Sequence, residues 1–180
     1  MAPVVLSASL SAQGVFSNKT QVILEKVIQD YPNRFYHIRG EVIGQALEST
    51  RYRSTLQLPG ATSSTITVTG AGIEGSGWSC TVLETADFYT ARSRFSEIYD
   101  QLSNSIISTE GQKTFILNGQ YEAPAEDRKY TEVLFSLLPG VGEMKRLRVE
   151  LSLHEQDRNW ILSVNVTDRD LHEVAQSIRR

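Results

Sequence analysis

A single cysteine, Cys80, stands in the 180 residues, which excludes an intramolecular disulfide and any metal site built on paired thiolates. Its setting in residues 77–82 puts Trp78, Cys80 and Val82 on one face of a strand, where a cysteine acts as a small buried hydrophobe. Histidine is scarce too. His37, His154 and His172 show no paired ligand spacing such as H-x-x-x-H, so no metal centre is legible. The nucleophile-elbow pattern G-x-S-x-G is absent around Ser79 and Ser163. No apolar run reaches the roughly eighteen residues that a membrane-crossing helix needs. Positive charge is not in excess: 18 Lys and Arg against 21 Asp and Glu leave a net charge of -3 and a pI near 5.7. Such a chain has no field for gathering phosphates, so nucleic acid is not an expected partner.

What is present is ordinary globular composition, 40% hydrophobic and 22% charged, on a chain long enough to bury a core without staples. Within it an order of landmarks recurs. Gly40, Tyr52, Leu58-Pro59-Gly60, Trp78 and Val82 are followed by Gly119, Tyr130, Leu138-Pro139-Gly140, Trp160 and Val164, at separations of 79, 78, 80, 82 and 82 positions. A register that holds over five landmarks, both tryptophans included, points to an internal duplication.

Periodicity fills in the elements. Val22, Ile23, Val27, Ile28 and Tyr31 fall at helical spacing, with Asn18 as cap, Gln21 reaching back to it and Pro32 as stop, which predicts a helix over 18–30. Residues 34–39 and 113–118 are rich in strand formers, and each run ends at a glycine. Alternation predicts further strands over 52–58, 64–69 and from Gly77 in the first copy, and over 130–138, 145–153 and from Trp160 in the second. The connections read as Pro59-Gly60, a glycine-rich loop over 70–77, Pro139 to Gly142, and a polar loop over 154–159. Thr85 caps a stripe of Phe88, Ala91, Phe95, Ile98, Tyr99, Leu102 and Ile106, and Thr167 to Asp170 caps Leu171, Val174 and Ile178. A loop over 108–112 separates the copies.

The expected fold is therefore α+β: two similar antiparallel four-stranded units, each with a closing helix, related by pseudo-twofold duplication, plus an extra N-terminal helix. Joined edge to edge, the units make one sheet of about eight strands and one compact domain, which removes two exposed edges. The divisions are a flexible arm or signal-peptide remnant over 1–16, a first repeat over 17–110 and a second over 111–180. The arm is apolar and small-residue-rich but lacks a positive start. On that ground a periplasmic or extracellular location is favoured over the cytoplasm.

Chemistry is thinner. Gly70-Ala71-Gly72-Ile73-Glu74-Gly75 matches G-x-G-x-x-G, but a strand follows it rather than the helix that would hold a pyrophosphate, so it reads as a hairpin and no cofactor is expected. His154, Glu155 and Asp157 form the densest polar cluster, and Glu122, Glu126 and Asp127 lie in a polar insert over 122–128; both read as solvated loops. Thr65, Thr67 and Thr69 form an outward polar stripe, and Asn18 and Asn165 open glycosylation triplets. Trp78 and Trp160 hold equivalent places, either in the core or lining a groove for an apolar ligand or peptide. With no catalytic constellation, no metal and no cofactor pattern, the expected function is a non-catalytic binding module. It would present a sheet face or inter-repeat groove to a protein or small apolar ligand. The alternative is a hydrolase with a site near the 154–159 loop or the 122–128 insert.

Overall fold

The computed structural model describes residues 19–70, 75–109 and 113–168. Helix α1 (Lys19–Gln29) precedes strands β1 (Arg39–Ala46), β2 (Ser49–Ser54), β3 (Ser63–Thr69) and β4 (Ser76–Thr85). Helix α2 (Phe88–Ser103) leads into β5 (Ile106–Thr109), β6 (Lys113–Asn118), β7 (Tyr130–Leu138), β8 (Leu147–Gln156) and β9 (Asn159–Asp168), with a 3-10 turn at Gly142–Lys145 before β8. All nine strands form one antiparallel sheet in the order β1-β2-β3-β4-β9-β8-β7-β6-β5. The fold is α+β, as the alternating pattern implies. Pairing of β4 with β9, Trp78 opposite Val166 and Cys80 opposite Val164, joins the two runs of strands into one sheet. The sheet has one strand more than the pattern suggests, because residues 106–109 form β5 where a loop and the end of the α2 stripe were expected.

Both helices lie on one face. Leu24, Val27 and Ile28 of α1 and Phe88, Ala91, Phe95, Ile98 and Leu102 of α2 share a core with Trp78, Cys80, Phe135, Val149, Leu151 and Val164. Alternation puts every second strand residue into that core, for example Thr131, Val133, Phe135 and Leu137 along β7. Cys80 is fully buried, and burial pushes its thiol pKa up, which suits a packing role.

Local hydrogen bonding overrides propensity in several places. Of residues 34–39, only Arg39 is in a strand, the first residue of β1. The buried Asp30 carboxylate accepts from the His37 amide at 3.0 Å and from Asn33 Nδ2 at 3.1 Å, with His37 Nδ1 2.6 Å away. This winds 30–37 into turns in which Arg34 and Phe35 adopt left-handed φ of 55° and 58°. Such geometry costs about 1–3 kcal/mol per non-glycine residue, and full burial of Phe35 offsets it. Strand β2 stops at Ser54, whose Oγ accepts from the Leu56 amide and donates to its carbonyl, although Leu58 stays buried beyond it. Strand β8 runs on to Gln156, so His154 lies within a strand and the connection to β9 is only Asp157 and Arg158, both left-handed. Gln21 Nε2 donates to the Ile106 carbonyl at 2.8 Å, and its expected bond back to Asn18 falls outside the described residues. The Asn18 cap and the helix expected over 171–178 lie outside the described residues.

The cap of α2 is Asp87, not Thr85, whose Oγ1 instead accepts from the Asp87 amide. At the other end Asn104 bonds back to the Asp100 carbonyl, and Ser105 to the carbonyls of Leu102 and Gln101, which stops the helix before Ile106. The Thr90 hydroxyl and amide, then the Tyr89 amide, hold the Asp87 carboxyl below its ordinary value. Its contribution to stability is therefore whole above the usual carboxylate range near pH 4 and is lost as pH falls through the lowered value. Asp87→Asn retains a good cap but cannot titrate, so its urea midpoint should fall less steeply than the parent's on the acid side; parallel curves would contradict the assignment.

Candidate functional site

The strand residues of opposite parity to the core form the second face of the sheet, on which the described residues place no helix. The registers fix its rows. Thr65 on β3 lies opposite Ser79 on β4, Ser79 opposite Asn165 on β9, Asn165 opposite Glu150 on β8, and Glu150 opposite Leu134 on β7. A neighbouring row runs Ser63, Thr81, Ser163, Ser152 and Glu132, and beyond it His154 lies opposite Tyr130. Every strand from β3 to β7 contributes, and hydroxyl, amide and carboxylate groups predominate.

At the centre these side chains form a hydrogen-bonded chain across four strands. Ser79 Oγ donates to Asn165 Oδ1 at 2.6 Å, and Asn165 Nδ2 to Glu150 Oε1 at 3.4 Å. Tyr130 OH is within hydrogen-bonding distance of two carboxylates, 2.7 Å from Glu132 Oε2 and 3.3 Å from Glu150 Oε1, and its proton lies between them. Glu150 is only 6% exposed although it faces away from the helices, and Ser152 and Ser163 beside it are similarly enclosed. Carboxylates are almost never buried to this degree without partners, and here the partners arrive from both neighbouring strands.

The residues singled out from sequence go elsewhere or only partly here. Trp78 is fully buried, with its indole N–H 3.0 Å from Ser54 Oγ; Trp160 is 6% exposed, with its ring 5.0 Å from that of Phe88. Both face the core rather than this surface. Glu122 pairs with Arg128 inside the insert, and His37 serves the Asp30 turn. His154 joins the polar face; His172 and Gly72 lie outside the described residues. The loop carrying the glycines links the antiparallel neighbours β3 and β4. Asn165, noted only for its triplet, and Ser79, noted only for lacking an elbow, are central members of the network. Glu150 falls within the strand expected over 145–153, and the one available signal was a glutamate placed at mid-strand between Val149 and Leu151.

Chemically the face offers hydrogen-bond acceptors and donors in fixed rows. Among the described residues no group of three His, Cys, Asp or Glu is placed to hold a metal ion, and no helix is long and apolar enough to cross a membrane. Compared with models of protein families, with curated proteins and with solved structures, the chain matches none. The assignment of a role therefore rests on this geometry alone.

Proposed function

We propose that the chain is a non-catalytic binding module that holds a protein partner against the polar second face of its sheet. The observation that carries this is the chain from Ser79 through Asn165 and Glu150 to Tyr130 and Glu132, on a face that no described helix covers. An array of polar groups spread over five strands suits a macromolecular surface better than a small molecule, which would want an enclosed, mostly apolar pocket. Two carboxylates at its centre favour partners rich in donors or positive charge, and oppose phosphates.

The test is selection of peptides from a random display library on the immobilised protein, followed by NMR mapping. Binders should perturb the amides of Ser79, Glu150, Ser152 and Asn165, and Glu132→Lys should weaken them about tenfold or more. Peptides that perturb only the helical face would refute the proposal. A hydrolytic role has one specific observation in its favour, the enclosed Glu150 carboxylate beside the Tyr130 phenol and near the row of His154. It would show as turnover of chromogenic esters, phosphates or glycosides that Glu150→Gln abolishes.

The duplication is part of the same proposal. Trp78 and Trp160 sit near the starts of β4 and β9, which pair where the two runs of strands meet, and Pro59 and Pro139 lie in the β2–β3 and β7–β8 connections. Against this, Gly40 is the second residue of β1 whereas Gly119 follows the end of β6.

A further inference from the structure

A second set of polar groups surrounds a cavity of about 180 Å³ at the end of the sheet where β4 begins and β9 stops. Tyr31, Pro32, Arg34, Phe35, Ser76, Glu143, Arg146 and Asp168 line it. At roughly 30 Å³ per water this is room for about six waters, or one small metabolite. Its charges divide into two kinds. Asp168 is already engaged: Tyr31 OH donates to its Oδ2 at 2.7 Å, and Arg146 approaches its Oδ1 at 3.1 Å. Burial, and the carboxylate beside it, push the Tyr31 phenol pKa well up, so it stays a protonated donor.

The other two charges are not engaged in this way. The Arg34 guanidinium and the Glu143 carboxylate make no hydrogen bond or ion pair with any described residue. Glu143 is near enough to act electrostatically on the Tyr31 phenol. Arg34 is held at the wall by the left-handed turn: its amide donates to the Tyr31 carbonyl at 2.8 Å, and its carbonyl accepts from Arg39 at 2.8 Å. The exposed Arg34 cation and the exposed Glu143 anion, beside a small space also lined by Tyr31, Pro32 and Phe35, complement a ligand that carries both charges on a short apolar body.

We propose that this cavity binds a small zwitterion of the α-amino acid class, its carboxylate on Arg34 and its ammonium on Glu143. One charge of each sign in the lining distinguishes it from an anion site, where Glu143 would repel the ligand, and from an amine site, where Arg34 would. Nothing in it depends on the polar face across the sheet.

Titration of the isotope-labelled full chain with glycine and L-alanine, with acetate and ethylamine as single-charge controls, tests it. Either amino acid should shift the Ser76 amide and Tyr31 ring signals saturably, and each control should bind at least tenfold more weakly. Arg34→Ala and Glu143→Gln should each weaken L-alanine binding at least tenfold while leaving the thermal melt cooperative. Should Arg34→Ala fold poorly, Arg34→Gly removes the same charge with a backbone suited to the turn. Absence of saturable shifts with both amino acids, binding indifferent to both substitutions, or acetate binding as tightly as L-alanine would each overturn the proposal.

Discussion

Trp78→Ala should cost about 3–5 kcal/mol, the range for truncating a buried aromatic, and so remove a large part of a stability that is about 5–15 kcal/mol for a typical domain. Trp78 has no exposed surface and heads the largest fully buried side chains. It lies between Ile66 on β3 and Val166 on β9, where the two runs of strands meet. Two losses would combine. The first is apolar area and the cavity left behind, and the second is the indole hydrogen bond to Ser54, a hydroxyl that also holds the Leu56 turn after β2. Urea unfolding followed by circular dichroism measures the cost. A loss below about 1 kcal/mol would mean that the site collapses or that the ring is dispensable, as an aromatic lining a surface groove would be. Trp160→Ala should cost less, since Trp160 sits one residue from the start of β9, keeps slight exposure and rests on Phe88.

How much of this was legible in the sequence depended on whether a residue's environment was local. Strands β6 and β7 carry the bounds expected from their strand-forming residues and alternation, and α1 ends one residue before its expected stop, because apolar period and proline lie within a few positions. Strand β1 was invisible. Arg39 to Ala46 exposes nearly every side chain, pairs on one edge only and carries two register irregularities, so no face imposes a period on it. Ile106 continued the helical spacing of α2, and only the bonds of Asn104 and Ser105 back to the helix reveal the stop. The polar network was illegible for another reason. That Ser79, Asn165, Glu150 and Tyr130 stand in one chain follows from the strand registers, which join residues up to 86 positions apart. That an outward glutamate is enclosed follows from where in the nine-stranded sheet its strand lies. Likewise Tyr31 and Asp168 meet across 137 positions.

Replacing Gln21, Glu25 and Gln29 together by alanine should lower stability by about 2–4 kcal/mol, from three hydrogen bonds worth about 0.5–1.5 kcal/mol each, and should also change the association state. Among the described residues strand β5 pairs only with β6, so its outer backbone would be an open template for another chain. Helix α1 closes it. Gln21 Nε2 donates to the Ile106 carbonyl at 2.8 Å, Gln29 Nε2 to the Ser108 carbonyl at 2.7 Å, and the Ser108 amide donates to Glu25 Oε1 at 2.9 Å. Residues 21, 25 and 29 recur at i, i+4 and i+8, so one stripe of the helix stands in for the missing strand. Beside this edge Ile106, Ile116 and Leu138 form a row, in register across β5, β6 and β7, that is 53%, 51% and 42% exposed. An opened edge next to exposed apolar side chains is a setting for strand-to-strand association. Sedimentation velocity over a concentration series should therefore show larger species for the triple variant than for the parent, alongside a lower urea midpoint. A variant matching the parent in both would leave α1 as mere packing; the expected result makes it the element that terminates the sheet at β5.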